Sequence, residues 1–287
     1  MRIVTDSAAD LSHEEARRLG IDEAPLFIQF PGEEVKSTAL SPDEFYARLL
    51  AMAPEIPTTA QPSPGVFAEL YRPLVEAGED VLSIHISSGL SGTAQAAQLG
   101  AEQFPAGKVT VVDSLTLSGG QRFQVLAAAA AAAAGWTTEA ILKRLAQIRA
   151  QAEVIYTLET LKYLAKGGRI GRVEAVAGML LNIKPVIRVE HSDGKYSTVA
   201  KARSLKDAQA VIVNHLQKMY GSSEPLWATV LHGQLAPKAE ELGVALKSAL
   251  HIVRFETMRI SPVLGVHTGP GIVGVAAMPM ALMAGLE

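Results

Sequence analysis

The strongest constraint on the fold is an alternation. In the first half of the chain, β-branched runs at residues 2–5, 81–86 and 109–112 are each followed by a polar turn and a stretch with helical signals. Parallel strands need long crossovers, usually helical, so the alternation predicts a parallel sheet with helices on its faces. In open sheets of this kind, ligands sit at the carboxyl ends of the strands. The turns TDS, SSGLSG and VDS fall at those ends.

Helix starts are marked by capping residues. Ser12, with Glu15 three residues on, predicts a capping box for a helix over 12–20, and Ser41, Pro42 and Glu44 predict another over 42–52. Residues 21–30 read as extended. Pro54, Pro57, Pro62 and Pro64 make PTTAQPSP a stiff loop, until Ser63 caps a helix over 64–77. Further helices are predicted over 93–104 and 138–152. The apolar run 123–136 holds eight consecutive alanines, yet falls short of the roughly 18 residues a membrane span needs. It reads as a closely packed soluble helix.

Near residue 154 the pattern changes. The Gly/Lys/Arg loop AKGGRIGR comes next, then a strand over 185–190, a turn at 192–194 and a strand over 196–200. A helix over 204–219, a strand over 226–232, a helix over 236–249, a strand over 253–257 and a last strand from about 271 complete the chain. This half predicts an α+β layer with helices on one side of a sheet. Two domains, 1–154 and 155–287, suit 287 residues at about 150 residues per domain.

Composition removes several function classes. With 26 Lys and Arg against 29 Asp and Glu, the net charge of −3 gives no broad attraction for nucleic acid. The absence of cysteine excludes disulfides, thiolate metal sites and a Cys nucleophile, and fits a cytoplasmic protein. Asp6 and Asp10 interrupt the first apolar stretch, so no signal peptide is read.

The local motif richest in chemistry is IHISSGLSGTAQAA, a strand entering a Ser/Gly turn before an Ala-rich helix. Glycines admit a ligand to the backbone, first-turn amides are unsatisfied, and Ser87, Ser88, Ser91 and Thr93 add hydroxyls. Ordinary capping explains the same residues. Gly89, Ser91 and Thr93 do not complete the G-x-S-x-G nucleophile elbow. Gly269, Gly271 and Gly274 do match G-x-G-x-x-G, but too little chain follows for a βαβ unit, and the motif reads as a turn into the last strand. Lys166, Arg169 and Arg172 suit a loop that meets anions, or a solvated basic loop. Spacing among Asp6, Asp10, Asp113 and the histidines predicts no metal site.

Taken together, TDSAADL, TAQPSPGVF, SSGLSGTAQAA, VDSLTLSGG, YLAKGGRIGR, LNIKPVI and VHTGPGIVGV resemble the DegV family of bacterial fatty-acid-binding proteins, in the family's order and over nearly the whole chain. The resemblance implies two α/β domains with a long-chain fatty acid between them. It further implies a lipid-carrying subunit whose separate ATP-binding fatty acid kinase subunit phosphorylates the bound carboxylate to an acyl phosphate. Carried over by position, it puts the carboxylate beside Thr59 and Ser91, with Ser88 and the amides around Gly92 close by. Arg169 and His267 would face the head group and assist phosphoryl transfer, while Arg172 and Arg203 would lie at the head-group or partner surface. No cofactor is implied beyond the ligand itself. Ala60 stands where the family usually has Ser, and Ala94 where it usually has an aromatic residue.

Two other readings compete. One is an autonomous serine-dependent acyl hydrolase or transferase, with Ser88 or Ser91 as nucleophile and His85 or His267 as base. The other is a small-anion sensor or scaffold.

Overall fold

The computed structural model describes residues 1–173 and 183–286. Leu181 and Asn182 of the LNIKPVI motif lie outside the described residues. The first half runs β1 (Arg2–Asp6), α1 (His13–Leu19), β2 (Ile21–Ala24), β3 (Phe27–Phe30), β4 (Glu33–Lys36), α2 (Pro42–Ala51), β5 (Thr58–Ala60) and α3 (Pro64–Glu76). It continues through β6 (Val81–His85), α4 (Thr93–Ala101), β7 (Val109–Asp113), α5 (Ser118–Ala133) and α6 (Thr138–Gln151). The second half contains β8 (Glu153–Leu158), α7 (Lys162–Lys166), β9 (Lys184–Val189), β10 (Tyr196–Ala202), α8 (Leu205–Tyr220) and β11 (Leu226–His232). α9 (Ala236–Ala249), β12 (Ile252–Arg259), α10 (Pro262–Thr268) and β13 (Ile272–Pro279) follow.

The predicted parallel sheet is present, with strand order β2-β1-β6-β7. The second sheet has the order β10-β9-β8-β13-β11-β12 and is antiparallel except where β11 meets β12. Alternation along its strands separates two cores. Ile155, Val186, Val230 and Val275 pack under α8 and α9. Val154, Tyr156, Leu231 and Ala276 face the first half and share a core with α5 and α6. Helices cover one face of this sheet, as expected, and the other face closes onto the parallel unit.

Three local readings need correction. The extended stretch 21–30 breaks at Pro25 into β2 of the parallel sheet and β3 of a separate sheet, β4-β3-β5. Part of the supposed proline loop is β5, whose Thr59 pairs with Ile28. Pro57 and Pro62 bracket this edge strand without entering it, so no ladder donor is lost. The capping box at Ser12 is only half formed: Ser12 Oγ accepts from Glu15 N, but the Glu15 carboxylate instead takes two bonds from Arg122. At Ser41 and Glu44 the box is complete.

The halves interlock at close range. The Ser87 hydroxyl donates to the Gly194 carbonyl at 2.9 Å. Gly194 has φ +63, and a Cβ there would lie 1.9 Å from Ser87 Oγ, so only glycine allows this approach. Arg122 on α5 joins Glu15 to Glu256 on β12, and Arg259 reaches Asp43. Among the described residues no helix is long and apolar enough to cross a membrane.

Candidate functional site

β2 and β6 flank β1 on opposite sides, so the sheet's switch point lies between β1 and β6. Such a crevice is the common ligand position in open α/β sheets. The turn after β6 rims it. Leu90 N and Ser91 N both donate to Ser87 O, and Ser91 Oγ meets Thr93 Oγ1 at 2.8 Å. Gly92 is the N-cap of α4.

The opposite wall comes from the second half. His267 lies in the last turn of α10, a helix announced by Ser261-Pro262 that the sequence reading did not pick out. His267 Nε2 lies 2.8 Å from Thr59 Oγ1 on β5, joining the two halves. Its Nδ1 has no partner and packs against Gly167, where a Cβ would come within 2.3 Å. Arg169 is held beside it, donating from Nη1 to Gly167 O at 2.7 Å and from Nε to Leu90 O at 3.3 Å. Thr59, Ser91, Arg169 and His267 therefore line one cavity of about 30 Å³, with Ile86 and Leu264 among its apolar walls.

A second cavity, about 20 Å³, lies between α5 and the second sheet. Leu117, Val154, Leu231 and Ile272 are among its walls, and Tyr196 and Leu264 line both cavities. With their mouths included, the two hold about 400 and 360 Å³ of atom-free space. Both are narrow. A separate cleft of about 530 Å³ is bordered by Asp10, Glu23 and Arg259, and none of the anticipated site residues reaches it.

The remaining anticipated residues sit around this centre. Ser88 is exposed, and its amide donates to the Asp113 carboxylate at 3.1 Å. Gly92 faces the Gln61 side chain. Arg172 pairs with Asp193, and Arg203 is exposed just beyond β10. No serine–histidine pair forms at the turn. His85 is buried with Nδ1 3.0 Å from Asp6 and Nε2 2.7 Å from Ser83, leaving neither nitrogen for Ser88 or Ser91. Ser87, one of the hydroxyls of the anion-binding turn read from the sequence, is instead committed to the Gly194 carbonyl, and Tyr196 is a wall residue that the sequence reading did not pick out. Tyr196 carried no motif and becomes recognisable only through its neighbours.

Residues 1–280 match the family model described as "Uncharacterised protein, DegV family". The chain belongs to the DegV family. A DegV domain-containing protein of Deinococcus radiodurans is 36% identical over 284 residues, covering 97% of this chain and 98% of that protein. The structure is similar to that of a Thermus thermophilus DegV family protein described as binding fatty acid. The TM-score is 0.91 at 35% identity, covering 98% of this chain and 100% of that one. A stearic acid-binding protein of Eubacterium ventriosum gives a TM-score of 0.87 at 27% identity, covering 97% and 98%.

In this DegV chain, Ala60 and Ala94 are not among the residues lining either cavity. Among the described residues no group of three or more His, Asp or Glu side chains could hold a metal ion. His267 is the titratable centre of the site. Burial, with the Arg169 charge beside it, lowers its pKa from 6.5 to about 4, so the imidazole is neutral at pH 7. In the Nε2–H tautomer it donates to Thr59 Oγ1 and leaves the hydroxyl proton free for a ligand oxygen.

The unfolded chain takes up a proton near pH 6.5 that the folded chain refuses until about 4. Stability from this group is thus full above 6.5 and is lost as the pH falls toward 4. In His267→Gln, the stability difference from wild type should shift across that window. Denaturant unfolding at stepped pH reads it, and a constant difference would show that His267 titrates normally.

Proposed function

We propose that the chain binds a long-chain fatty acid, its carboxylate at Thr59 and Ser91 and its tail in the apolar slot behind them. One observation carries the reading: a cavity lined by Thr59, Ser91, Arg169 and His267 adjoins an apolar one, with Tyr196 and Leu264 lining both. The fatty-acid ligands of the Thermus and Eubacterium relatives support it. Each buried methylene contributes about 0.8 kcal/mol, so the tail supplies the affinity. Burying a carboxylate is costly unless hydroxyls, amides or a cation receive it. Tyr196 and Leu264 move aside as the tail threads between the cavities.

In this reading a division near residue 154 separates a carboxylate-binding half from a half that carries the basic loop and His267. The protein performs no chemistry alone. It presents the carboxylate to a separate ATP-dependent kinase subunit, where a carboxylate oxygen attacks the γ-phosphorus, an acyl phosphate forms and ADP leaves. Arg169 and His267 face the reacting end, and Arg172, Arg203 and Ser88 lie on the partner side.

Denaturing mass spectrometry of the purified chain should find a long-chain fatty acid at near one per chain. Absence of lipid together with failure to take up added octadecanoate overturns the proposal. Arg169→Ala should retain most of the bound lipid while slowing acyl phosphate formation with kinase and ATP. Equal loss of both would end the division of roles.

A further inference from the structure

We infer that Asp10 is the positioning residue of the head-group site: its carboxylate fixes the start of α10, and so sets where His267, in the last turn of that helix, meets Thr59. This deepens the fatty-acid reading above and rests on it.

Asp10 closes the TDSAADL turn that follows β1 and is buried. Oδ2 accepts from the Ser118 hydroxyl on α5, and Oδ1 accepts from the Ser261 amide at 2.7 Å. Asp10 and Ser118 both have left-handed backbone, with φ 53 and 52, which non-glycine residues adopt at a cost. Two of the three such residues among the described ones therefore meet in one hydrogen bond. Strain of this kind persists only where the surrounding structure imposes it, and it clusters at functional sites.

Ser261 is the N-cap of α10, and its own side chain caps nothing. The start of the helix is held instead from the other half of the chain. α10 contributes Val263, Leu264 and His267 to the head-group cavity. Its flank packs through Val266 with Phe45 and Tyr46. Such apolar contacts are non-directional and allow sliding along the axis, whereas a hydrogen bond is directional and sets the axial position. The seven residues of α10 make a rod about 10 Å long. A shift at Ser261 therefore reaches His267, whose Nε2 lies 2.8 Å from Thr59 Oγ1.

The test follows the His267 imidazole by NMR in the full-length chain stripped of lipid. Asp10→Asn keeps an acceptor for Ser261 and tolerates the left-handed backbone. Asp10→Gly keeps that backbone without strain and removes the acceptor. With the start of α10 released, water reaches the ring, so the His267 pKa should rise from about 4 toward 6.5 in the glycine variant and stay near 4 in the asparagine one. Burial raises the Asp10 pKa to about 6, so the titration crosses it, and the protonated acid, like asparagine, still accepts from Ser261. Octadecanoate affinity should fall about tenfold in Asp10→Gly, the worth of one displaced donor to a charged group. A role in stability alone would lower the unfolding midpoint and leave the His267 pKa in place. Ser118→Gly, which removes the other bond to the carboxylate, should raise that pKa by less, and it serves if the Asp10→Gly chain does not fold. A His267 pKa near 4 in both glycine variants, or one that rises equally in Asp10→Asn, overturns the inference. Failure of octadecanoate to bind the wild type overturns the fatty-acid reading and leaves the His267 comparison standing.

Discussion

Replacing Thr59 by Val and Ser91 by Ala together should weaken fatty-acid binding by about a hundredfold or more. A hydrogen bond to a charged group is worth about 1.5–3 kcal/mol, and about 1.4 kcal/mol is a factor of ten. Two such bonds to one carboxylate therefore exceed two decades, even allowing for the coupling expected of neighbouring donors. The tail cannot compensate, because its burial is unchanged by either substitution. Thr59→Val has a second effect: it leaves the buried His267 Nε2 without its partner at 2.8 Å, while Nδ1 already lacks one. Thermal unfolding of the same variants separates that cost from the loss of affinity. Titration of lipid-free protein with octadecanoate measures the binding, and an affinity within about threefold of wild type would remove these hydroxyls from the carboxylate site.

Much of this arrangement is legible in the residues. The parallel sheet follows from strands that alternate with capped helices, and the position of the 87–93 turn follows from the rule that such sheets bind ligands at strand ends. Ser41, Pro42 and Glu44 form the box their spacing predicts. Ser12 and Glu15 have the same spacing and do not, because Arg122, more than a hundred residues away in the chain, competes for the Glu15 carboxylate and wins with two bonds. Local pattern carries no information about such a partner. β5 was hidden for a related reason: three residues between prolines have too little periodicity to declare a strand, and pairing with β3 creates it. The meeting of Thr59 with His267 joins an edge strand to a helix end across the two halves, which follows from the resemblance but not from the spacing.

The same long-range Arg122 sets the other large expectation. Arg122→Met should destabilise the fold by about 3 kcal/mol or more, the usual result of removing one partner from a buried ion pair. The guanidinium is 4% exposed and makes bonds of 3.1 and 2.6 Å to Glu15 and 2.7 Å to Glu256. Methionine keeps much of the volume near Trp227 but leaves two carboxylates facing an uncharged chain. Arg254 still reaches Glu256 at 2.9 Å and softens the penalty there, whereas no other cation is bonded to Glu15 among the described residues. Adding Glu15→Gln and Glu256→Gln to Arg122→Met should restore much of the loss, because the unpaired charge, rather than the missing attraction, is the main cost. Arg122 ties α5 to β12, so the single variant should also release bound fatty acid faster as the walls of the slot separate more readily. Urea unfolding of lipid-free protein reads the first effect and a lipid dissociation rate the second. A stability within about 1 kcal/mol of wild type would place this contact among the weak surface pairs.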